Sequence, residues 1–247
     1  MKHILKYITS LFLMLFSIFG TAQELKKKDS ITPKTISYGL RVGIDAVKIF
    51  RSFQEKDYRG IELVGDFRLS KKRYLAGEIG NENKTVNDDH LSFTTKGTFL
   101  KVGFDYNGYE NWLGMQNMLF VGMRYGLSSF SQNLNSYKIY NPNQYFNENT
   151  VIEANQKFSG LSAQWIEVVA GIKAEVYTNL FVGFSVRLNK LVTNKQPDNF
   201  ENLYIPGFNR TYSGTFGAGF NYTISYMVPI FKKLTKNKNE DSKIKKK

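Results

Sequence analysis

The chain has 247 residues, a formal net charge of +13 and no cysteine. Without cysteine, disulfide bonds, thiolate metal sites and lipid attachment through a cysteine are excluded. The positive charge is concentrated at the ends: residues 232–247 contribute +6, residues 1–22 and 24–34 contribute +2 each, and residues 35–231 carry only +3. Because the body of the chain is nearly neutral, we do not expect a nucleic-acid partner.

Residues 1–22 have the pattern of an export signal. A basic start precedes an apolar run from Ile8 to Phe19, and Gly20 and Ala22 supply the small side chains that precede a cleavage site. The run is shorter than the roughly 20 residues that a membrane-spanning helix needs. We therefore predict a cleaved signal peptide over residues 1–22, followed by a flexible periplasmic arm over residues 23–36.

From Tyr38 to Asp45, apolar side chains alternate with small or charged ones. This period of two residues is typical of a β-strand with one apolar face. Because the alternation recurs along the chain, we predict eight strands, at residues 37–50, 59–70, 74–81, 92–106, 118–130, 162–176, 180–190 and 210–228.

The predicted connectors alternate in length, which indicates how the strands are arranged. Residues 70–73 and 177–179 form tight turns, whereas four long connectors cover residues 51–58, 82–91, 131–161 and 191–209. The connector 107–117 departs from this rule, because it lies on the side of the tight turns but is long. Short periplasmic turns and long outer loops are typical of outer-membrane barrels. We predict an all-β protein: a single eight-stranded antiparallel up-and-down transmembrane β-barrel over residues 37–231, with periplasmic termini and a basic disordered tail over residues 232–247.

The two faces of the predicted strands have opposite chemistry. The apolar face suits lipid, as at Val121 and Val186, and the other face carries charges of both signs that nearly cancel. An eight-stranded barrel is just wide enough for side chains to fill its interior, so charges placed there must pair with one another. The sequence therefore predicts a closed lumen with a structural ion-pair network of Arg41, Asp45, Glu62, Asp66, Arg68, Glu78, Lys101, Asp105, Arg124, Glu167, Lys173, Glu175 and Arg187.

The long connector at residues 131–161 is the preferred recognition element. It mixes aromatic side chains with Asn and Gln, the residue types of adaptable recognition surfaces. Its candidate contact residues are Tyr137, Tyr140, Tyr145 and Phe146. The alternative, a solvated loop without a partner, stays open at this point.

Four segments, at residues 38–43, 57–62, 192–200 and 204–212, carry a resemblance to known proteins. The chain resembles small, porin-like outer-membrane β-barrels, and more specifically a bacterial family of unknown function within that superfamily. The resemblance covers most of residues 37–230. It implies the barrel fold and the outer membrane as location, and it implies no activity, because the family has none assigned.

Catalytic chemistry has few candidates in this sequence. His90 follows Asp88 and Asp89, and Ser92 is the nearest serine, so the segment superficially resembles an acid–histidine–serine arrangement. A solvated acidic loop explains the same residues. One histidine in the mature chain and no cysteine leave a typical zinc site without ligands. We expect no catalytic residue, no metal site and no cofactor.

These observations predict a non-enzymatic integral outer-membrane barrel that has a structural or surface-interaction role through its outer loops. The expected partners are outer-membrane lipid and an extracellular or envelope protein or glycan. Three alternatives stay open: a lipid-active enzyme that depends on His90, a soluble ligand-binding barrel found in the periplasm, and a narrow channel that conducts ions across a bilayer.

Overall fold

The computed structural model of the chain describes residues 35–109, 111, 115–138, 151–197, 201–208 and 210–234. The predicted signal peptide over residues 1–22 lies outside the described residues. So do the predicted arm as far as residue 34 and the predicted tail from residue 235 onward.

The described part of the chain contains one helix and nine strands, joined by turns and connectors. The helix α1 spans Ala46–Gln54 and directly follows the first strand. The strands are β1 Thr35–Asp45, β2 Tyr58–Arg68, β3 Arg73–Asn87, β4 Leu91–Asn107, β5 Met118–Lys138, β6 Val151–Tyr177, β7 Leu180–Lys195, β8 Arg210–Ser213 and β9 Phe216–Leu234.

Eight of these strands close into a ring. Strands β1 to β7 pair in sequence order, β7 pairs with β9, and β9 pairs back with β1, all antiparallel. At the closing seam Leu40 lies opposite Val228 and Ile44 lies opposite Ile224. The short β8 pairs with the start of β9. The predicted all-β, eight-stranded antiparallel up-and-down barrel is therefore confirmed.

The predicted strand over residues 37–50 is wrong at its end, because the chain turns into α1 after Asp45. The Asp45 carboxylate accepts a hydrogen bond from the Val47 N–H at 2.8 Å and caps the helix. Ala46, Ile49, Phe50 and Phe53 then repeat at the spacing of a helix rather than of a strand. The first long connector thus consists mainly of helix.

The other long connectors contain more strand than predicted. Strand β3 continues to Asn87, β5 continues to Lys138, and β6 begins at Val151, so the connectors predicted at residues 82–91 and 131–161 are shorter than expected. The strand predicted over residues 210–228 is divided into β8 and β9. The two strands are joined through Gly214, whose φ of +49° suits glycine.

The ring has an apolar exterior and a charged interior. Along β5, Leu119, Val121 and Met123 are exposed, whereas Phe120 and Arg124 are buried. The same alternation on the other ring strands produces a band of exposed apolar side chains around the barrel, which we call the apolar belt. It includes Leu40, Ile61, Ile79, Val102, Val121, Val168, Val186 and Ile224, one from each ring strand. In the described ranges, none of the helical residues form a stretch long and apolar enough to cross a membrane.

Candidate functional site

A cluster of buried charges occupies the middle of the barrel, and Glu78 lies at its centre. The Arg187 guanidinium donates to both carboxylate oxygens of Glu78, at 2.6 and 3.0 Å. The Lys101 ammonium lies 3.2 Å and the Arg124 Nε 3.6 Å from the same carboxylate. A two-pronged guanidinium–carboxylate contact is among the strongest polar contacts in proteins, so Glu78 joins β3 to β4, β5 and β7.

Two further carboxylates complete this cluster. Glu167 lies 3.1 Å from the Arg187 Nη1 and 3.6 Å from the Lys101 Nζ, and its Oε1 accepts from the Trp165 indole at 2.7 Å. Asp105 pairs with Arg124 at 2.7 Å. All of these charged side chains are buried. Burying them is tolerable because the opposite charges are matched within the same cluster.

A second group of charges lies nearer to the tight turns. Asp66 pairs with Arg41 at 2.8 Å and with Lys173 at 2.6 Å. The Arg41 guanidinium also lies 4.6 Å from the centre of the Phe181 ring, a cation–π contact. These pairs hold β1, β2 and β6 together across the lumen.

Three of the predicted network residues make other contacts. Arg68 donates to the backbone carbonyls of Ser70 and Lys71 in the adjoining turn. Glu175 accepts from the backbone N–H groups of Gln116 and Asn179, and Asp45 caps α1 and accepts from Asn221. These charges fix turns and the helix end. The structure places the other ten predicted residues in ion pairs.

The end of the lumen opposite to the Thr35–Leu234 pair, which we call the outer end, contains a polar centre formed by Lys48 and Glu82. The sequence prediction missed this centre. Lys48 points from α1 into the barrel, where it pairs with Glu82 and lies 3.2 Å from Glu62. Burial acts to lower the pKa of Lys48, but the carboxylates of Glu82 and Glu62 outweigh burial and raise that pKa. Lys48 is therefore charged at neutral pH.

Glu82 also binds the connector between β7 and β8. Its carboxylate accepts from the Tyr204 hydroxyl at 2.6 Å, the Gly207 N–H at 3.0 Å and the Tyr58 hydroxyl at 3.0 Å. Burial and then the charge of Glu82 raise the pKa of Tyr204 well above its ordinary value, so Tyr204 remains a donor. Glu82 could have been found by extending the alternation of β3 beyond residue 81. Lys48 could not have been found in this way, because the sequence predicts a strand over residues 37–50.

Residues 201–208, which we call the plug, fold into the outer mouth of the barrel. Ile205 and Phe208 are buried, and Phe208 meets the Trp165 ring edge-on with the ring centres 5.7 Å apart. Gln132 donates to the Glu201 carbonyl at 2.9 Å and accepts from the Leu203 N–H at 3.2 Å. The same apolar cluster contains Phe99, Phe130, Leu161 and Ala163.

Gly207 permits the closest approach between the plug and the barrel. Its φ of +80° lies in the left-handed region, which other residues rarely adopt. A Cβ at this position would collide with the ring of Phe99. The plug therefore lies directly against the wall, and with α1 it covers the mouth above the charged cluster.

The described lumen contains a small cavity beside the charged cluster. A cavity of about 30 Å³ lies between Glu78, Phe120, Arg124, Lys173 and Arg187. That volume holds about one or two water molecules, whereas small-molecule sites typically occupy roughly 300–1,000 Å³. This cavity is too small for such a ligand, and buried ion pairs surround it.

Of the four residues predicted for recognition, the structure describes one, at a strand end. Tyr137 lies near the end of β5, opposite Leu91 and Ile152, whereas Tyr140, Tyr145 and Phe146 lie outside the described residues. The Ser92 hydroxyl donates to Asn87 at 2.7 Å, and the His90 carbonyl accepts from the Lys138 N–H. Across the described ranges, no group of three or more His, Cys, Asp or Glu side chains could hold a metal ion.

The family described as "Domain of unknown function (DUF6048)" matches residues 4–233 of this chain. The chain belongs to the DUF6048 family. This match confirms the resemblance to a bacterial family of unknown function. A solved structure, "The crystal structure of Ail, the attachment invasion locus protein of Yersinia pestis", is similar at 10% identity and a TM-score of 0.39, over 79% of this chain and 99% of Ail. Comparison with curated proteins found no match.

In this DUF6048 chain, we expect Glu82→Gln to release the plug. The change removes the charge that pairs with Lys48 and weakens the acceptor of Tyr58, Tyr204 and Gly207. The expected loss in free energy of unfolding is about 1–3 kcal/mol, since buried donors lose their charged partner. Urea unfolding measures this loss, and limited proteolysis measures cleavage within residues 201–208.

The matched control is Glu55→Gln, which removes an exposed pair with Arg51 on the same side of the barrel. Such a pair contributes about 0.3–0.5 kcal/mol. If Glu82→Gln were as stable and as resistant to protease as Glu55→Gln, the assignment of Glu82 as the anchor of the plug would be wrong.

Proposed function

We propose that this protein is a non-enzymatic integral outer-membrane β-barrel with a filled lumen, which acts as a structural or surface-interaction protein through its outer end. The observation that carries the proposal is the apolar belt on a ring whose interior is charged. Soluble proteins place these two chemistries the other way round, because water favours charge on the outside.

The extent of the apolar belt supports a lipid environment. All eight ring strands contribute exposed apolar side chains, and Val121 is 59% exposed. Monomeric soluble proteins rarely expose continuous apolar patches larger than a few hundred Å². A closed barrel also satisfies the backbone hydrogen bonds of its strands, as membrane insertion requires. The predicted signal peptide over residues 1–22 supports export to the envelope.

The filled lumen supports a function outside the barrel. Ion pairs occupy the middle, and the plug and α1 cover the outer mouth. Conduction through the barrel would require these buried pairs to separate, at a cost of several kcal/mol per ion. We therefore assign the role of the protein to its outer surface and not to transport or chemistry within the lumen.

The outer surface offers a projecting hairpin as its recognition element. β5 and β6 remain paired as far as Lys138 and Val151, whereas β7 ends opposite Ser162. The edge of β6 at residues 151–161 is interrupted by Asn155 and Gly160, whose φ values are +45° and +70°. Such irregularities oppose pairing of this edge with a strand from a partner. We therefore expect side chains of the hairpin, such as Tyr137, to contact the partner. An envelope or extracellular protein or glycan is the proposed partner.

The membrane assignment is tested by fractionation and gel mobility. We expect the protein to remain with the membrane pellet after washing with alkaline carbonate. An unboiled sample in a detergent gel should migrate faster than a boiled one, because the closed ring stays compact until heated. Recovery in the soluble periplasmic fraction with one mobility before and after boiling would contradict the proposal and favour a soluble barrel.

A further inference from the structure

The helix α1 has one apolar face and one polar face. Apolar residues recur at the spacing i, i+3, i+4 and i+7, which places them on one side of the helix: Ala46, Ile49, Phe50 and Phe53. The opposite side carries Lys48, Arg51, Ser52 and Glu55. A helix with this pattern is expected to bury its apolar side.

In this structure the polar side of α1 is the side that packs against the barrel. Lys48 is buried in its ion pairs with Glu82 and Glu62. The Arg51 guanidinium lies 4.1 Å from the centre of the Tyr58 ring. By contrast, Phe50 is 64% exposed and Phe53 is 87% exposed. The apolar side of the helix therefore faces away from the protein.

α1 also takes the place of a strand in the barrel wall. β1 ends at Asp45, opposite Thr223 of β9, whereas β2 extends outward to Tyr58 beyond its pairing with β1. Along this unpaired edge of β2, the Ser52 hydroxyl accepts from the Gly60 N–H at 2.7 Å and contacts the Gly60 carbonyl at 3.0 Å. Since α1 completes the wall, its outward side continues the outward side of β2.

The apolar belt reaches the position of α1. Ile61, the residue after Gly60, is exposed and belongs to the belt. Exposed basic side chains flank the two phenylalanines: Lys56 follows the helix, and Arg59 donates to the Ser52 carbonyl. From the belt outward, apolar side chains are followed by aromatic and then by basic ones. A lipid leaflet has the matching sequence of layers, from the acyl chains to the phosphate groups.

We propose that α1 is an interfacial helix that inserts Phe50 and Phe53 into lipid at the outer boundary of the bilayer. The proposal rests on the membrane location proposed above. The partner is the lipid surface around the barrel, with acyl chains against the two rings and phosphate groups near Lys56 and Arg59. The opposite side of the same helix carries Lys48, which pairs with Glu82 and Glu62 in the lumen. The helix therefore connects the lipid contact with the buried ion pairs.

Because the sequence has no cysteine, single spin labels can be placed one at a time. Phe53→Cys reports on α1, Val121→Cys reports on the apolar belt, and Lys157→Cys reports on the projecting hairpin. All three side chains are exposed, so the label displaces no core residue. Each variant is reconstituted into vesicles of phosphatidylethanolamine and phosphatidylglycerol, and its folding is checked by the gel-mobility shift.

The measurement is the ratio of collision rates with oxygen, which concentrates in lipid, to those with a water-soluble nickel chelate. The label at residue 53 should give a ratio several-fold above that at residue 157 and similar to that at residue 121. If residue 53 matches residue 157 while residue 121 reports lipid, the helix faces water and the interfacial proposal is overturned. If residue 121 also reports water, the membrane location itself has failed.

Discussion

Replacing Arg187 by methionine should lower the free energy of unfolding by about 3–5 kcal/mol. The Arg187 guanidinium joins Glu78 on the far side of the barrel at 2.6 Å and Glu167 on the adjacent strand at 3.1 Å. Both carboxylates are buried, and without Arg187 the cluster holds an excess of negative charge that water cannot reach. The loss is measured by urea unfolding, followed by tryptophan fluorescence, to which Trp165 beside Glu167 contributes.

The double variant Arg187→Met with Glu78→Gln distinguishes charge imbalance from lost packing. The second change removes one carboxylate of the cluster, so the double variant should be less destabilised than the sum of the two single variants. Arg73→Met serves as a control, because the Arg73 side chain is exposed at the start of β3. A loss below about 1 kcal/mol for Arg187→Met, the range of surface pairs, would show that the cluster contributes little to folding.

Replacing Val121 by arginine should cost about 2–4 kcal/mol in lipid if the residue lies near the bilayer midplane. Val121 lies on the outer face of β5 opposite Tyr106 and Ala170, within the apolar belt. A guanidinium at this position would lose its hydration without gaining a partner. Equilibrium unfolding from vesicles measures the cost, and the yield of heat-modifiable protein measures insertion.

Ser131→Arg is the matched control for this change. Ser131 lies on the same face of the same strand, beyond the belt and opposite Lys96. An arginine there remains hydrated, so a cost of about 0–1 kcal/mol is expected. If both variants inserted and unfolded alike, the outer face of β5 would not contact the acyl chains.

The strands were predictable where apolar side chains on one face alternate with polar or small side chains on the other. In β5 the alternation of Val121, Gly122, Met123 and Arg124 distinguishes the outer face from the inner face without reference to any neighbouring strand. The same alternation predicts Arg187 and Glu78 on the inner faces of their strands, and in the folded barrel these two side chains form an ion pair. Partner choice was not predictable, because pairing across the lumen depends on the tilt and stagger of the strands.

The misses occurred where local and tertiary signals compete. Residues 46–50 contain Ala, Val, Lys, Ile and Phe, which suit either a strand or a helix, and the Asp45 cap decides the outcome. For residues 201–208 the sequence predicts an outer loop, because Tyr204, Ile205 and Phe208 lie in a segment with Asn, Pro and Gly. Glu82 binds Tyr204 and Gly207 of the plug from more than 120 residues away in the sequence. Such a long-range contact cannot be predicted from the local pattern.

The lumen ion pairs also constrain how this barrel can assemble. Arg187 and Glu78 are 109 residues apart, and Lys173 and Asp66 are 107 residues apart. Contacts between such distant residues form late, because the entropy of closing long loops must be met first. In the proposed membrane location, a partly formed sheet that entered the bilayer would expose these charges to acyl chains. Insertion and closure of the ring should therefore proceed together, with β9 sealing the seam against β1 as the charges leave water.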